Sequence, residues 1–244
     1  MKNQLSSTYD RYSSWKGWVS GGFLHFTDNE AIYYAAELKR AGFDELTSPK
    51  CLELGFGNGT FAGWAISQGI AWSGVEVQRE LLDLVSARDL CGFASLEEAT
   101  TFLGTGTIDL VVGFDVFEHL EVSELIEVLK GVYCVLKSGG VLLARVPSGD
   151  SPFGRAIFHG DITHRIALGS SAIRQLASQT GFEVIDIGPP RLPIFGVGWM
   201  RAMRRGSIRL AQTIIARFIN LVFHDGQPCV ITANLVFVLK KPVK

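Results

Sequence analysis

No stretch of 18 apolar residues occurs in the 244-residue chain, so no membrane-spanning helix is expected. The first twenty residues, MKNQLSSTYDRYSSWKGWVS, lack the apolar core of a signal peptide. Cysteine is scarce. Cys51, Cys91, Cys134 and Cys229 lie far apart with no CxxC pair, which argues against disulfide or zinc-ribbon frameworks and reads them as reduced core residues of a cytosolic protein. Charged residues make up only 19% of the chain against 47% hydrophobic, a balance that collapses into a core rather than staying disordered. A large net charge is missing too, but the value of −1 hides a split. Residues 1–150 carry 11 basic and 20 acidic side chains, and residues 151–244 carry 12 basic and 4 acidic. The second half therefore either meets an anionic partner or only gives the molecule a dipole.

What is present is a rhythm. Thr27-Asp28 can cap a helix through AIYYAAELKRAGF, with Gly42 near its end. From CLELGF onward, short apolar runs alternate with helical patterns: FAGWAISQG, IAWSGVEV, RELLDLVSA, LCGFA, SLEEATTFLG, IDLVVGFD, VSELIEVLKGVYCVLK and GGVLLARVP. Alternation of this kind implies βαβ units, a parallel sheet and helices on both faces. LVVGF and VLLARV are apolar at successive positions, as strands buried on both sides require. After Pro147 the rhythm breaks into a polar, glycine-rich stretch, residues 148–169, expected to loop over one end of the sheet. A helix AIRQLASQTG, a strand FEVIDIG, a Gly/Pro stretch, a basic-apolar segment and a last strand in CVITANLVFVLKK follow.

Glu53-Leu54-Gly55-Phe56-Gly57-Asn58-Gly59 lies between an apolar strand and a helix. Glycines there permit a sharp turn and close approach of a ligand to the backbone, and the helix N-terminus offers unpaired N–H groups. The spacing is not that of a dinucleotide fingerprint, because Thr60 stands where GxGxxG needs its last glycine. Twenty-one residues after Gly55, the next strand ends in Gly74-Val75-Glu76-Val77, and a carboxylate at such a strand tip can accept from both ribose hydroxyls. An adenosine-type ligand across the C-terminal edge of the sheet explains both features together. Each alone would also suit an ordinary strand-to-helix turn and a solvated strand end.

In these residues the chain resembles the class I S-adenosylmethionine-dependent methyltransferases. ELGFGNG is similar to their first motif, led by Glu53, and GVEV to the ribose-binding second, carried by Glu76. GFDVFEHL resembles the fourth-strand motif of a branch that includes quinone O-methyltransferases, and LKSGGVLLARVP the helix-turn-strand that follows. The likeness runs from about residue 48 to 188. SPFGRAIFHGDITHRIAL is similar to a segment of bacterial methyltransferases encoded among polysaccharide and O-antigen genes, although Ser148 replaces the asparagine usual after the fifth strand.

The resemblance implies a doubly wound, seven-stranded, mostly parallel α/β sheet with the last strand antiparallel and a helical insert before it. The expected organisation is an N-terminal helical cap segment, 1–47, and a methyltransferase domain, 48–244, with an acceptor-side loop at 148–169 and an insert at 190–226. S-adenosylmethionine is the implied cofactor, held by Glu53, Gly55, Gly57, Gly59, Glu76, Val77, Phe114 and Asp115, with Phe93 and Ala94 standing in for the adenine contacts because CGFASLEEA lacks the usual Asp. The implied reaction is O-methylation of a sugar in a cell-surface polysaccharide or lipid-linked glycan. The alternatives are a small aromatic or quinone hydroxyl, and a cofactor-binding module without catalysis.

Methyl transfer to a sugar hydroxyl needs placement of donor and acceptor and a base for the departing proton. His119, after the fourth strand, and His164, on the long loop three residues beyond Asp161, are the candidate catalytic residues, with Asp161 orienting the imidazole. Each has a plainer reading, His119 as a pocket floor and the Asp161–His164 pair as a loop closure. Asp115 and Glu118 flank the same site. His119, Asp161 and His164 are also suitable cation ligands, but without a tight spacing pattern no metal is assigned.

Trp199 to Phe223 holds Arg201, Arg204, Arg205, Arg209 and Arg217 and no acidic residue. As a helix it would line up Arg201, Arg205 and Arg209 on one side and Leu210, Ile214, Phe218 and Leu221 on another. A core helix with a solvated face, an interfacial helix on an anionic leaflet, and a nucleic-acid surface all remain open, the last weakened by the lack of aromatics in the polar line. The chain is thus expected to be cytoplasmic, with peripheral contact at the inner membrane face as one reading of this segment, and with a small-molecule or glycan acceptor as its partner.

Overall fold

The computed structural model describes residues 16–18, 22–43, 49–191, 198–224 and 228–243. Seven strands form one sheet: β1 Lys50–Leu54, β2 Ala71–Val75, β3 Cys91–Phe93, β4 Ile108–Phe114, β5 Leu136–Pro147, β6 Glu183–Gly188 and β7 Asn234–Lys240. Their order is β3-β2-β1-β4-β5-β7-β6. The first five are parallel neighbours, and β7 runs antiparallel between β5 and β6.

Among the described residues the helices are α1 Asp28–Arg40, α2 Thr60–Ser67, α3 Arg79–Ser86, α4 Leu96–Leu103, α5 Val122–Val135, α6 Arg155–Phe158, α7 Ser170–Thr180 and α8 Trp199–Phe223. Successive strand side chains point to opposite faces, so the apolar runs feed two cores. Leu52, Val111, Leu142 and Phe237 pack on one face with Ala99 of α4, Leu125 and Leu129 of α5 and Ile173 of α7. Cys51, Leu110, Leu143 and Val236 pack on the other with Tyr34 and Leu38 of α1, Phe61 and Trp64 of α2 and Leu81 of α3. Helices covering both faces are what make the doubly apolar strands β4 and β5 stable.

Thr27 caps α1 as the sequence predicts: its hydroxyl accepts from the Glu30 N–H, and Glu30 accepts from the Thr27 N–H at 2.8 Å. The helix is clamped to the far edge of the sheet by Arg40. Its Nε donates to Asp186 at 2.7 Å and its other nitrogens to the carbonyls of Pro189 and Val236. Beside it, fully buried Glu37 accepts from the Arg191 N–H. A chain stretch from Gly22 to Phe26 lies over the start of α2, so close that a Cβ on Gly63 would stand 1.9 Å from the Leu24 carbonyl oxygen.

Several boundaries differ from expectation. β5 begins at Leu136, before the Gly139-Gly140 pair, because Leu136 already pairs with Ile108 across a register shift. The loop at 148–169 carries the one-turn helix α6 and is pinned by a Ser148–Leu168 bridge. β7 starts at Asn234 rather than near Cys229. Cys134 is not a core residue: it is exposed on the outer side of α5, while Cys51 alone of the four is buried. The Gly/Pro stretch at 192–197 and most of the segment before α1 lie outside the described residues. No helix among the described residues is long and apolar enough to cross a membrane.

Candidate functional site

Strands β1 to β5 all end on one edge of the sheet, and the order reverses between β1 and β4. Chains leaving neighbouring strands to opposite faces open a crevice there. Into it come the turn after β1 (Gly55–Gly59), the tip of β2 (Glu76–Gln78), the turn after β4 (Asp115–Leu120) and the loop after β5.

The first turn uses its glycines fully. Gly55, Gly57 and Gly59 have φ of 63°, 52° and 72°, the left-handed region that side chains disfavour. A Cβ at Gly55 would meet Val116 at 2.6 Å, so the turns after β1 and β4 are in direct contact. Trp18 covers Gly57, and Phe23 and Leu24 cover Gly59. The Leu24 N–H donates to the Asn58 carbonyl at 3.0 Å, which fastens this stretch to the turn.

Two carboxylates stand behind the turn. Glu76 is buried and accepts from the N–H groups of Gly57 (3.1 Å), Val77 (2.8 Å) and Gln78 (3.1 Å). Burial raises its carboxyl, while these three donors hold it back. Its oxygens therefore order the glycine turn, a role beyond the ribose contact expected from sequence. Glu53 sits deeper, with Oε2 accepting from the Trp72 indole at 2.8 Å. Burial pushes its carboxyl up to about 8, the nearby Glu76 charge adding to the rise and the indole N–H opposing it. Glu53 is thus part of the frame under the turn rather than of its open surface.

The adenine placeholders separate. The Phe93 side chain packs in the core beside Phe102, whereas Ala94 is exposed at the end of β3. Val77 is exposed at the tip of β2. Phe114 closes β4 among the rings of Tyr33, Tyr34 and Phe61. Asp115 adopts φ of 58° and pairs with Arg145 through two nitrogens of one guanidinium edge, Nε to Oδ1 at 3.0 Å and Nη2 to Oδ2. The guanidinium lies 5.5 Å from the ring centres of both Tyr33 and Phe114, a cation–π arrangement. Sequence reasoning missed Arg145, although it is the lone charge in the buried run VLLARV.

The expected histidines do meet. A single turn of 3-10 helix, Phe117–His119, brings His119 to within 4.7 Å of the His164 ring. Asp161, however, does not orient His164 as expected. Its Oδ1 accepts from the Thr163 hydroxyl at 2.5 Å and from the Thr163 N–H at 3.0 Å, and Thr163 Oγ1 lies 2.9 Å from His119 Nδ1. Lys16 pairs with the other carboxylate oxygen at 3.1 Å. Since the hydroxyl proton goes to the carboxylate, His119 must donate through Nδ1, which places its basic lone pair on Nε2. His164 instead uses Nδ1 to donate to the Phe158 carbonyl at 2.8 Å. The loop's short reach back to α6, not the Asp-x-x-His spacing, decides this. Burial lowers the His119 pKa, the adjacent His164 lowers it further, and Asp161 pulls the other way. His119 is therefore neutral at pH 7.

Glu118 completes the cluster. It is 1% exposed, neither carboxylate oxygen has a hydrogen-bond partner among the described residues, and Oε1 lies 3.9 Å from His164 Nε2. Burial raises its pKa well above the ordinary range, and the Asp115 charge adds to this. Ligand atoms of Glu118, His119 and His164 lie within 4.8 Å of one another, a donor set of the kind that accepts a divalent cation. Asp161 is outside that set, being committed to Thr163 and Lys16.

A crystal structure of an S-adenosylmethionine-dependent methyltransferase from Archaeoglobus fulgidus superposes with a TM-score of 0.61 at 17% identity, covering 86% of this chain and 94% of that one. The 1,6-didemethyltoxoflavin-N1-methyltransferase of Burkholderia thailandensis, solved with its acceptor and S-adenosylhomocysteine, gives 0.57 at 14% identity over 99% of this chain and 86% of that one. The [4+2]-cyclase SpnF gives 0.54 at 16% identity over 88% and 81%. At these identities the likeness is one of fold, and the cyclase shows that the fold serves more than one reaction. No curated protein matches the sequence. Residues 24–187 match the profile of a methyltransferase domain, two-thirds of the chain and every element of the crevice except Lys16, Trp18 and Phe23: the protein belongs to that methyltransferase family.

Proposed function

We propose that the protein is an S-adenosylmethionine-dependent O-methyltransferase whose acceptor is a sugar hydroxyl of a cell-surface polysaccharide or lipid-linked glycan. The observation that carries the reading is the chain Lys16–Asp161–Thr163–His119, buried at Asp161 and Thr163, which ends on the turn that touches the glycine loop through Val116 and Gly55. Family membership supports methyl transfer. The glycine turn with Glu76 behind it suits an adenosyl ligand, and Gly55, Gly57, Glu76, Val77 and Ala94 would hold it, with Glu53 and Trp72 stiffening the frame. Bound there, the cofactor would supply an electrophilic methyl group on a positively charged sulfur.

The chain's own residues then have two tasks. Aliphatic hydroxyls are far weaker acids than water-exposed phenols, so a sugar acceptor gains more from a positioned base than an aromatic one does. His119 Nε2 is placed as the base: it would take the proton that the acceptor oxygen loses on gaining the methyl group, the sulfur keeping the electron pair of the bond it gives up. The resulting imidazolium is stabilised through Nδ1 by Thr163 and the Asp161 carboxylate. Arg145, locked to Asp115, fixes the turn that carries His119 and gives the crevice one aromatic-cationic wall. A quinone or small phenol remains the competing acceptor, favoured by that wall of Tyr33 and Phe114.

The test is incubation with the methyl donor and a panel of nucleotide sugars, lipid-linked glycans and quinols, followed by mass analysis. A glycan gaining one methyl group supports the reading. Transfer to the quinols alone replaces the acceptor class, and transfer to nothing, with the cofactor bound, supports a non-catalytic module.

A further inference from the structure

Helix α8 is unlike the other long helices. It runs 25 residues, carries five arginines and no carboxylate, and has no buried residue. At 3.6 residues per turn, Trp199, Met200, Met203, Leu210, Ile214, Phe218 and Leu221 share an arc of about 100°. Each is between 60% and 74% exposed. Arg201, Arg204, Arg205 and Arg209 stand on the remaining sides, Arg217 falls at the edge of the arc in line with Trp199, and Arg205 donates to Asn29 of α1 at 3.0 Å. That contact ties α8 to the same helix whose Tyr33 lies under Arg145 at the crevice. An apolar arc this long and uncovered is not an ordinary solvated surface.

We infer that α8 is an interfacial helix that lays its apolar arc into an anionic lipid leaflet, with its arginines at the headgroups. The composition selects this occupant over others. A second copy joined arc to arc would cover the apolar side chains but bring no carboxylate to the arginines, because neither helix carries one. Nucleic acid would meet the arginines but leave the seven apolar side chains in water. Spanning is excluded by the same arginines, and no described helix meets the length and hydropathy of a crossing segment. Lying in the interface satisfies both sides at once, because the aromatic and aliphatic groups enter the acyl boundary while the guanidiniums stay at the phosphates. The sequence alone allowed a core helix here, and the exposure of every apolar position on the arc removes that reading. The inference is independent of the acceptor proposed above.

The experiment is vesicle co-sedimentation of the full chain. Vesicles of phosphatidylglycerol mixed with phosphatidylcholine are compared with phosphatidylcholine alone, at low and high salt. Two variants are used, R201Q/R204Q/R209Q and L210S/I214S/F218S. All six positions are exposed, so circular dichroism should match the wild type in both. Expected is salt-sensitive binding of the wild type to the anionic vesicles only. Each arginine near such a leaflet gives roughly a five-fold gain, so the arginine variant should bind about 100-fold more weakly. The serine variant should lose binding at any salt. Equal binding of wild type and arginine variant, or none to anionic vesicles at low salt, overturns the inference. So does a wild-type dimer in light scattering that the serine variant dissolves, which would assign the arc to a second copy.

Discussion

Thr163→Val cuts one link in the site and leaves its neighbours in place. Valine matches threonine in shape, keeps the backbone N–H that Asp161 accepts at 3.0 Å, and leaves Lys16 on the other oxygen. What disappears is the bridge between His119 Nδ1, 2.9 Å away, and the carboxylate. In the resting enzyme that bridge is a hydrogen bond from a neutral imidazole, worth ~1 kcal/mol net. As His119 takes a proton it becomes charge-assisted and worth up to ~3 kcal/mol. The difference, about 1–2 kcal/mol, is what the substitution removes from the transition state, so kcat should fall roughly 5- to 30-fold. The pH profile carries a second signature. The Asp161 charge and a backbone hydrogen bond at Thr163 act to raise the His119 pKa, against burial and His164, which lower it. The Thr163 hydroxyl, accepting from Nδ1–H, favours the charged form as well. Without the bridge the pKa falls further, so the acid limb of kcat/KM moves to lower pH while the plateau drops. Steady-state assays across pH, with a melting curve to confirm the fold, measure both. An unchanged plateau and an unmoved limb in a stable variant would refute the assignment of His119 as the base.

His119→Ala should cost ~10²-fold or more in turnover with donor affinity nearly intact, as single-turnover kinetics and calorimetry would show. Chelation should leave turnover unchanged if Glu118 and the two histidines serve as a proton-handling cluster; loss with EDTA and recovery on adding a divalent ion would assign those donors to a cation instead. Arg40→Met should destabilise the fold by roughly 3–5 kcal/mol in urea titration, because it strands fully buried Glu37 beside Asp186 without their shared cation. A loss under ~1 kcal/mol would mean that Glu37 is already protonated and the clamp adds little.

Element type was legible wherever the apolar period was strong. IDLVVGFD and VLLARVP are β4 and β5, and VSELIEVLKGVYCV is α5. Local chemistry also located the Thr27 cap and the glycine turn. Partners across long sequence distances were not legible. Nothing in Arg40 or Glu37 announces residues 186 and 191, and nothing in Lys16 announces Asp161. The Asp161-Ile162-Thr163-His164 cluster was visible, yet its internal wiring was not. A short threonine side chain two residues on can fold back to its own Asp, and this leaves the histidine after it to the Phe158 carbonyl. Periodicity likewise marked α8 as amphipathic but could not say that the body of the protein leaves its apolar arc uncovered.

The central claim is that the glycine turn and Glu76 form a site for an adenosyl sulfonium. Calorimetry with S-adenosylmethionine and S-adenosylhomocysteine, on the wild type and on Glu76→Ala, tests it most directly. Glu76 holds three backbone N–H groups of the crevice, so its loss should both loosen the turn and remove a ribose acceptor. Both ligands should bind the wild type, and the variant should bind them more weakly by roughly 1–3 kcal/mol. Binding of NAD by the wild type with no response to either sulfur ligand would contradict the account.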